Sequence, residues 1–371
     1  MGSPTNFPTG ISTFPGGNVL STFPSLPQRY QIAKLEDFVP YRSGDFTATT
    51  GGTGAAVASF SNLGGGVKLT AGSTSTFKAL LGLVNNFAQC VPGNAMWFDI
   101  KVAMPTGSMT NPTNDADFYA GFADNSDPSA ASNGVYFFKP NGGTAVHFIV
   151  KKASTTTTFQ NVADFAKPSG AFADPLDTTG VLTANATGTT LTSLAVTTPG
   201  FGYRSAPLVL INGTAGTLAA AYVQLGGSAG FPTTSARQPG SSLYSTIITN
   251  AGSGYTAGTF TADVIPWINL QFYYDGKSRF VVGVGGRVVL TLDRLATTSA
   301  TPGTTYNTNT GAKAYNFQGT TITTITPNPA SGDPIVALPL VPMTAAFGLV
   351  GTTANNRVVY VDELNAAVEM N

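Results

Sequence analysis

Apolar and polar residues alternate along this chain in short runs that glycine and proline interrupt too often for long helices. In Trp97–Met104, Phe98, Ile100, Val102 and Met104 fall on one face and Asp99 and Lys101 on the other, the pattern of a half-buried strand. Asp117–Phe122, Gly134–Phe138 and Ala145–Lys151 follow at short intervals, separated by turn residues such as Asn141-Gly142-Gly143. Trp267–Tyr274, Lys277–Val284 and Arg287–Leu292 are joined by Asp275-Gly276 and Gly285-Gly286, dipeptides that supply the positive φ of tight hairpins, so a three-stranded antiparallel meander is expected. Ile268, Leu270, Phe272 and Tyr274 share its apolar face, continued by Phe280, Val282 and Val284. Met343–Val350 and Arg357–Leu364 read as closing strands. Thr297–Pro342 reads as a surface excursion with one added strand at Gly319–Ile325. Regularly spaced short strands predict an all-β, antiparallel sandwich.

Two segments stand outside that pattern. Near the N-terminus, Phe7-Pro8, Phe14-Pro15, Phe23-Pro24 and Leu26-Pro27 push the chain into extended conformations, which predicts an arm. Phe7, Phe14, Phe23, Leu26 and Tyr30, spaced along such an arm, are the expected interface residues. Each could fill a pocket on a neighbour, contributing about 1.5–3 kcal/mol; the plainer alternative lays the arm along its own sandwich. In the middle of the chain, Leu194–Tyr203 and Thr246–Tyr255 align without gaps, each placing a strand before a Gly-x-Gly-Tyr turn. The turn residues are Gly200, Gly202 and Tyr203, then Gly252, Gly254 and Tyr255. The resulting organisation is an extended arm over 1–45, a sandwich in two parts, 46–165 and 265–371, and an inserted small β module over 176–264. Insertion is tolerated where entry and exit lie close together at a surface, so the strands flanking the module should be neighbours in space.

Composition narrows the chemistry. Only 10% of the 371 residues are charged, and the 18 basic and 18 acidic residues cancel, which argues against nucleic-acid binding by a basic face. The single histidine, His147, and single cysteine, Cys90, cannot build a His/Cys zinc site or an intrachain disulfide, and one cysteine fits assembly in a reducing cytoplasm. His147 alternates with Val146 and Phe148, which puts it on a strand's outer face. The three glutamates, Glu36, Glu363 and Glu369, lie on no strand that carries the close carboxylate set used by sugar-cleaving sandwiches. Asp115, Asp117, Asp124 and Asp127 are dense enough to suggest calcium, but they lack the EF-hand order and fit ordinary Asx turns. The glycine clusters precede neither a helix nor a Lys-Ser/Thr pair, so they read as turns and not as phosphate cradles. The first charge is Arg29, so a basic export leader is not expected, and no run approaches eighteen apolar residues. Neither a catalytic centre nor a cofactor or metal is expected, and neither nucleic acid nor membrane as a partner.

The order of the Trp97 strand, Phe118-Tyr-Ala-Gly-Phe122, Gly134-Val-Tyr-Phe-Phe138, the Tyr274-Asp-Gly276 hairpin, Gly285-Gly286-Arg287 and the Val358–Asp362 strand resembles concanavalin-like, laminin-G-like jelly rolls over about residues 46–165 and 265–371. Pro199-Gly-Phe-Gly-Tyr203 and Ala251-Gly-Ser-Gly-Tyr255 resemble the Gly-Ser-Gly-Tyr repeats of tailed-bacteriophage virion proteins, with Phe201 standing where serine is commoner. Arm, sandwich and repeat together are similar to phage capsid decoration (cement) proteins. That resemblance implies a homotrimer made in the host cytoplasm that binds the major capsid protein on the outer surface of the virion and reinforces it. The alternative is a tail, fibre or adhesin component whose lectin-like sandwich binds host glycans through aromatic platforms at Trp97, Tyr136 or Tyr273; an aspartate-based glycan depolymerase using Asp115 or Asp117 is a third reading.

Overall fold

In a computed structural model, the described residues are 30–36, 38, 43–60, 66–72, 77–84, 87–91, 93–105, 116–172, 177–187, 189–212, 217–226, 242–254, 261–277, 279–292, 295–296, 336–351 and 357–369. They form an antiparallel jelly-roll sandwich with a separate β module between its two halves. The eight-stranded sheet runs β19 (Arg287–Leu292), β18 (Phe280–Val284), β17 (Ile268–Tyr274), β6 (Met96–Ala103), β23 (Arg357–Glu369), β4 (Val67–Ala71) and β3 (Ala56–Ser59). The remaining strand, β1 (Tyr30–Glu36), pairs with Leu364–Glu369, the second half of β23, on the side that β4 occupies along its first half. The seven-stranded sheet runs β10 (Thr155–Asp164), β9 (Ala145–Lys152), β8 (Gly134–Lys139), β7 (Asp117–Ala123), β22 (Thr344–Gly351), β5 (Phe77–Leu83) and β2 (Phe46–Gly51). Two short strands, β20 (Leu295–Ala296) and β21 (Val336–Ala337), pair in parallel.

The expected meander is present as β17, β18 and β19. Gly276, Gly285 and Gly286 all adopt positive φ at its turns. Its apolar face, Ile268 to Val284, is buried in the main core. Phe272 sits at the middle of that core and meets five other rings. Phe98 stacks on it at 5.4 Å, Phe148 lies at 5.5 Å, Phe122 at 5.8 Å, Phe137 at 6.0 Å and Phe280 at 6.1 Å. These partners come from β6, β9, β7, β8 and β18, so one side chain joins both sheets and both sequence halves of the sandwich. The strands flanking the module are therefore close, as expected, but they face each other across the core, with β9 opposite β17.

The module comprises a four-stranded sheet, β12 (Thr190–Thr198), β11 (Val181–Thr187), β16 (Thr261–Ile265) and β13 (Leu208–Asn212), and a ribbon of β14 (Thr217–Gly226) and β15 (Ser242–Ser253). Each repeat is a hairpin, a Gly-x-Gly turn and a strand. Val209 pairs with Val264 and Asn212 with Thr261, pairs that interchange when the repeats are exchanged. Thr246 Oγ1 donates to the carbonyl of Leu194, its counterpart in the other repeat. The two copies thus face each other across a local two-fold axis, around a small core of Leu182, Leu194, Tyr203, Val209, Ala221, Val223 and Leu243. Leu208 and Ile265 then dock the module on Ala103 and Tyr360 of the eight-stranded sheet. The proposed added strand at Gly319–Ile325 lies outside the described residues.

Truncating the hub, Phe272→Ala, is expected to lower stability by about 3–5 kcal/mol, read as a lower denaturant midpoint at unchanged slope. Gly200 has φ 61°, and a Cβ there would stand 2.4 Å from the Gly180 nitrogen and 2.6 Å from the Thr178 carbonyl oxygen. Gly200→Ala should therefore destabilise the module by about 2 kcal/mol or more, with hydrogen exchange accelerated in β11–β16 and unchanged in β6 and β17.

Candidate functional site

Among the sequence-predicted interface residues, Phe7, Phe14, Phe23 and Leu26 lie outside the described residues. Tyr30 opens β1, opposite Glu369 of β23, so the root of the arm is a strand of the sandwich itself. In the repeat turns, Gly200 and Gly202 have φ of 61° and 104°, and Gly252 and Gly254 of 65° and 77°, so both copies share the backbone their glycines predict. Tyr203 is buried, and its hydroxyl accepts the Gly180 N–H at 2.7 Å, tying the first turn to the module's entry. Tyr255 lies outside the described residues.

The aspartate cluster is engaged in bracing. Asp117 Oδ1 accepts the Asn141 N–H at 2.7 Å, and Oδ2 accepts the Tyr119 hydroxyl at 3.4 Å. Asp124 accepts the Ser132 N–H and the Asn133 side-chain amide, and Asn133 in turn holds the Ala153 N–H. Burial works against the Asp127 charge, but Lys78 and Ser129 outweigh it and hold the carboxyl below its usual range. Asp115 lies outside the described residues, and among them no three His, Cys, Asp or Glu side chains converge as metal ligands. Nor is any described helix long and apolar enough to cross a membrane.

His147 lies on the outer face of β9, as alternation predicts, and its Nδ1 accepts the N–H of Asn161 at 3.0 Å. Asn161 has φ 58° and sits in a bulge of β10, so the imidazole holds an irregular edge in shape. Burial pulls the His147 pKa down, in keeping with a neutral ring that accepts this bond. Tyr119, Tyr136, Phe138 and His147 form a contiguous aromatic floor on this outer face, with centroid distances of 5.0–6.3 Å between neighbours. Of the three aromatics expected as a glycan platform, Tyr136 belongs to this floor. Trp97 and Tyr273 are a cross-strand pair, 6.5 Å apart, on the outer face of the opposite sheet.

Around Trp97 the structure departs from the alternation. Asp99 was expected on a solvent face, yet it is 2% exposed, and its neighbour Gln271 is 1% exposed. Cross-strand pairing sets Gln271, Asp99 and Asn365 in one row, Tyr273, Trp97 and Ala367 in the next, and Asn269, Lys101 and Glu363 on the other side. Asn365 Nδ2 donates to Glu363 Oε1 at 2.8 Å, while Lys101 reaches Asp362 at 2.5 Å and lies 5.4 Å over the Trp267 ring. Burial, then the Glu363 charge, push the Asp99 pKa up to about 7, against the opposing pull of Gln271, Asn365 and Lys101. Asp99 Oδ1 and Gln271 Nε2 are buried and close no hydrogen bond among the described residues. The sequence signal that could have flagged this row is the polar set Asp99, Gln271 and Asn365 on strands otherwise rich in apolar residues.

No family model matches the sequence, and no curated protein does. Among solved structures the chain is similar to a protein of unknown function from Shewanella oneidensis MR-1, at 11% identity over 91% of this chain and 87% of that one, with a TM-score of 0.37. An endo-β-1,4-glucuronan lyase from the fungus Trichoderma reesei shares 10% identity over 92% and 96%, at 0.35. The binding domain of botulinum neurotoxin serotype G shares 8% over 92% and 48%, also at 0.35. At these scores none bears on what the chain does.

Because the folded state holds the Asp99 proton more tightly than the unfolded chain, Asp99 costs no stability near pH 4 and a growing amount as pH rises toward 7. Asp99→Asn should therefore raise the melting temperature at pH 8, by the equivalent of up to about 4 kcal/mol, with the gain shrinking toward pH 4.

Proposed function

We propose that this protein is a non-enzymatic structural component of a tailed-bacteriophage virion. In this reading it is a capsid decoration, or cement, protein that binds the major capsid protein on the outer surface as a homotrimer and reinforces the lattice. The observation that carries it is the root of the arm: β1 is clamped antiparallel along β23, and the 29 residues preceding Tyr30 contain no charge before Arg29. Tension on such an arm is borne by a ladder of backbone hydrogen bonds. Its apolar residues can enter pockets on a neighbour without desolvating an ion, a step that costs several kcal/mol per charge. Rigidity supports the same reading, because the module is docked on the sandwich and the carboxylates of Asp117, Asp124 and Asp127 are committed to bracing loops. The module is then a projecting knob or a trimer contact, with Tyr244, 70% exposed, as the most accessible large hydrophobic side chain among its described residues.

A second reading, a tail, fibre or adhesin component that binds host glycans, is favoured by one observation, the partly exposed Phe138 and His147 rings backed by buried Tyr119 and Tyr136, since sugar rings stack on aromatic faces.

Deleting residues 1–29 should abolish attachment to purified capsids while circular dichroism stays that of a folded β protein. Capsids lacking the protein should lose heat resistance and regain it on adding the full chain. Normal attachment of the shortened chain contradicts the arm's role, and specific signals on a glycan array without capsid binding favour the second reading.

A further inference from the structure

We propose that the outer edge of β2 is an interaction surface for a second copy of this chain, the two β2 strands pairing antiparallel across a two-fold axis. β2 ends the seven-stranded sheet and β3 ends the eight-stranded sheet, and among the described residues no strand pairs with the outer edge of either. The short turn between them, with Gly52 and Gly54 at φ of 90° and 81°, sets both edges on the same side of the sandwich. Phe46 is buried in the core and Val57 packs against it, which anchors the two strands. Thr47, Ala48, Thr50, Ala56, Ala58 and Ser59 are exposed. An edge strand turns the N–H and C=O groups of alternate residues away from its sheet, a template for another strand unless a charge, a proline or a bulge blunts it. β2 has none of these: it pairs with β5 in unbroken register, and Phe46–Phe60 contains no charged residue and no proline.

The other side of the sandwich differs. β10 breaks register between Phe159 and Ala163, where Asn161 has positive φ, and its partner β9 sets Lys151 and Lys152 beside the first threonines. β19, the second edge there, opens on Arg287, and β21 packs on β9 nearby. The occupant of the β2 edge follows from the rules of self-pairing. An antiparallel two-fold pair sets each residue opposite itself or a near neighbour, so a charged edge would oppose like charges. In β2 the residues so opposed are threonine, alanine and glycine, and paired threonines attract. Lys78, which lies opposite Gly51 on the adjoining β5, is already held by Asp127. A strand of this length spans about 20 Å, a small contact against the roughly 1,200 Å² of stable complexes. The pairing is accordingly reversible in solution and gains strength where something else holds the copies close. The inference does not rest on the capsid reading; on a lattice the same contact would join one trimer to the next.

Sedimentation velocity of the full chain over a rising concentration series tests this, with Ala48→Lys as the comparison, since Ala48 is exposed and a lysine there meets its own copy across the two-fold. At the highest concentrations the unsubstituted chain should have twice the mass of the variant, whatever unit the variant forms. Equal masses throughout the series overturn the proposal. Should the variant fail to fold, Thr47, Ala48, Thr49 and Thr50 are replaced by cysteine in turn; Cys90 is buried and does not compete. Mild oxidation should link one of the four into a covalent dimer several-fold faster than a Thr192→Cys control on the exposed surface of the module. Rates at all four positions no faster than the control overturn the proposal. Loss of capsid attachment in Ala48→Lys at unchanged mass also overturns it, by showing that the edge takes a strand of the capsid. Failure of the capsid reading alone leaves the doubling of mass in place.

Discussion

The fold depends on one aromatic contact set. Phe272 is contributed by the sequence half that follows the module, and four of the five rings around it, Phe98, Phe122, Phe137 and Phe148, come from the half that precedes it. The sandwich cannot close until the chain has passed through the whole module, so the cost of bringing β17 to β6 is recovered only when these rings meet. The module's own core, arranged about its local two-fold, eases that constraint by holding entry and exit close together. Tyr203 on Gly180, and Asp177 on the Ser169 backbone N–H, fix the entry.

Much of this was legible in the sequence, for identifiable reasons. The meander was readable because Asp275-Gly276 and Gly285-Gly286 fix both turns, and the apolar alternation then fixes the faces. The repeat was readable because its glycines need positive φ in both copies. The order β17-β6-β23 was not, since alternation within a strand says nothing of which distant strand lies beside it. Asp99 was misplaced for a related reason: period-two patterning separates two faces, and a polar residue marks the less apolar one, but only tertiary structure decides whether that face meets water. The bulge that His147 holds through Asn161 gave no signal, because Asn161 lies in a stretch that otherwise reads as a regular strand.

The candidate sites share a character. Asp117, Asp124 and Asp127, which read in the sequence as candidate chemistry, are committed to turns and cross-loop braces, and the Asp99 carboxyl, pushed toward neutrality, is buried. Among the described residues, the most exposed large apolar side chain is Tyr244 of the threonine- and glycine-rich module.

The central proposal, that this is a clamp spread over a lattice and not a receptor binder at one pole, is tested most directly by imaging virions assembled with the protein. Electron cryo-microscopy of virions labelled through a tag on the module should show the label repeated over the whole capsid surface at symmetry-related positions. Label confined to the tail or its fibres, with a bare capsid, would contradict the account.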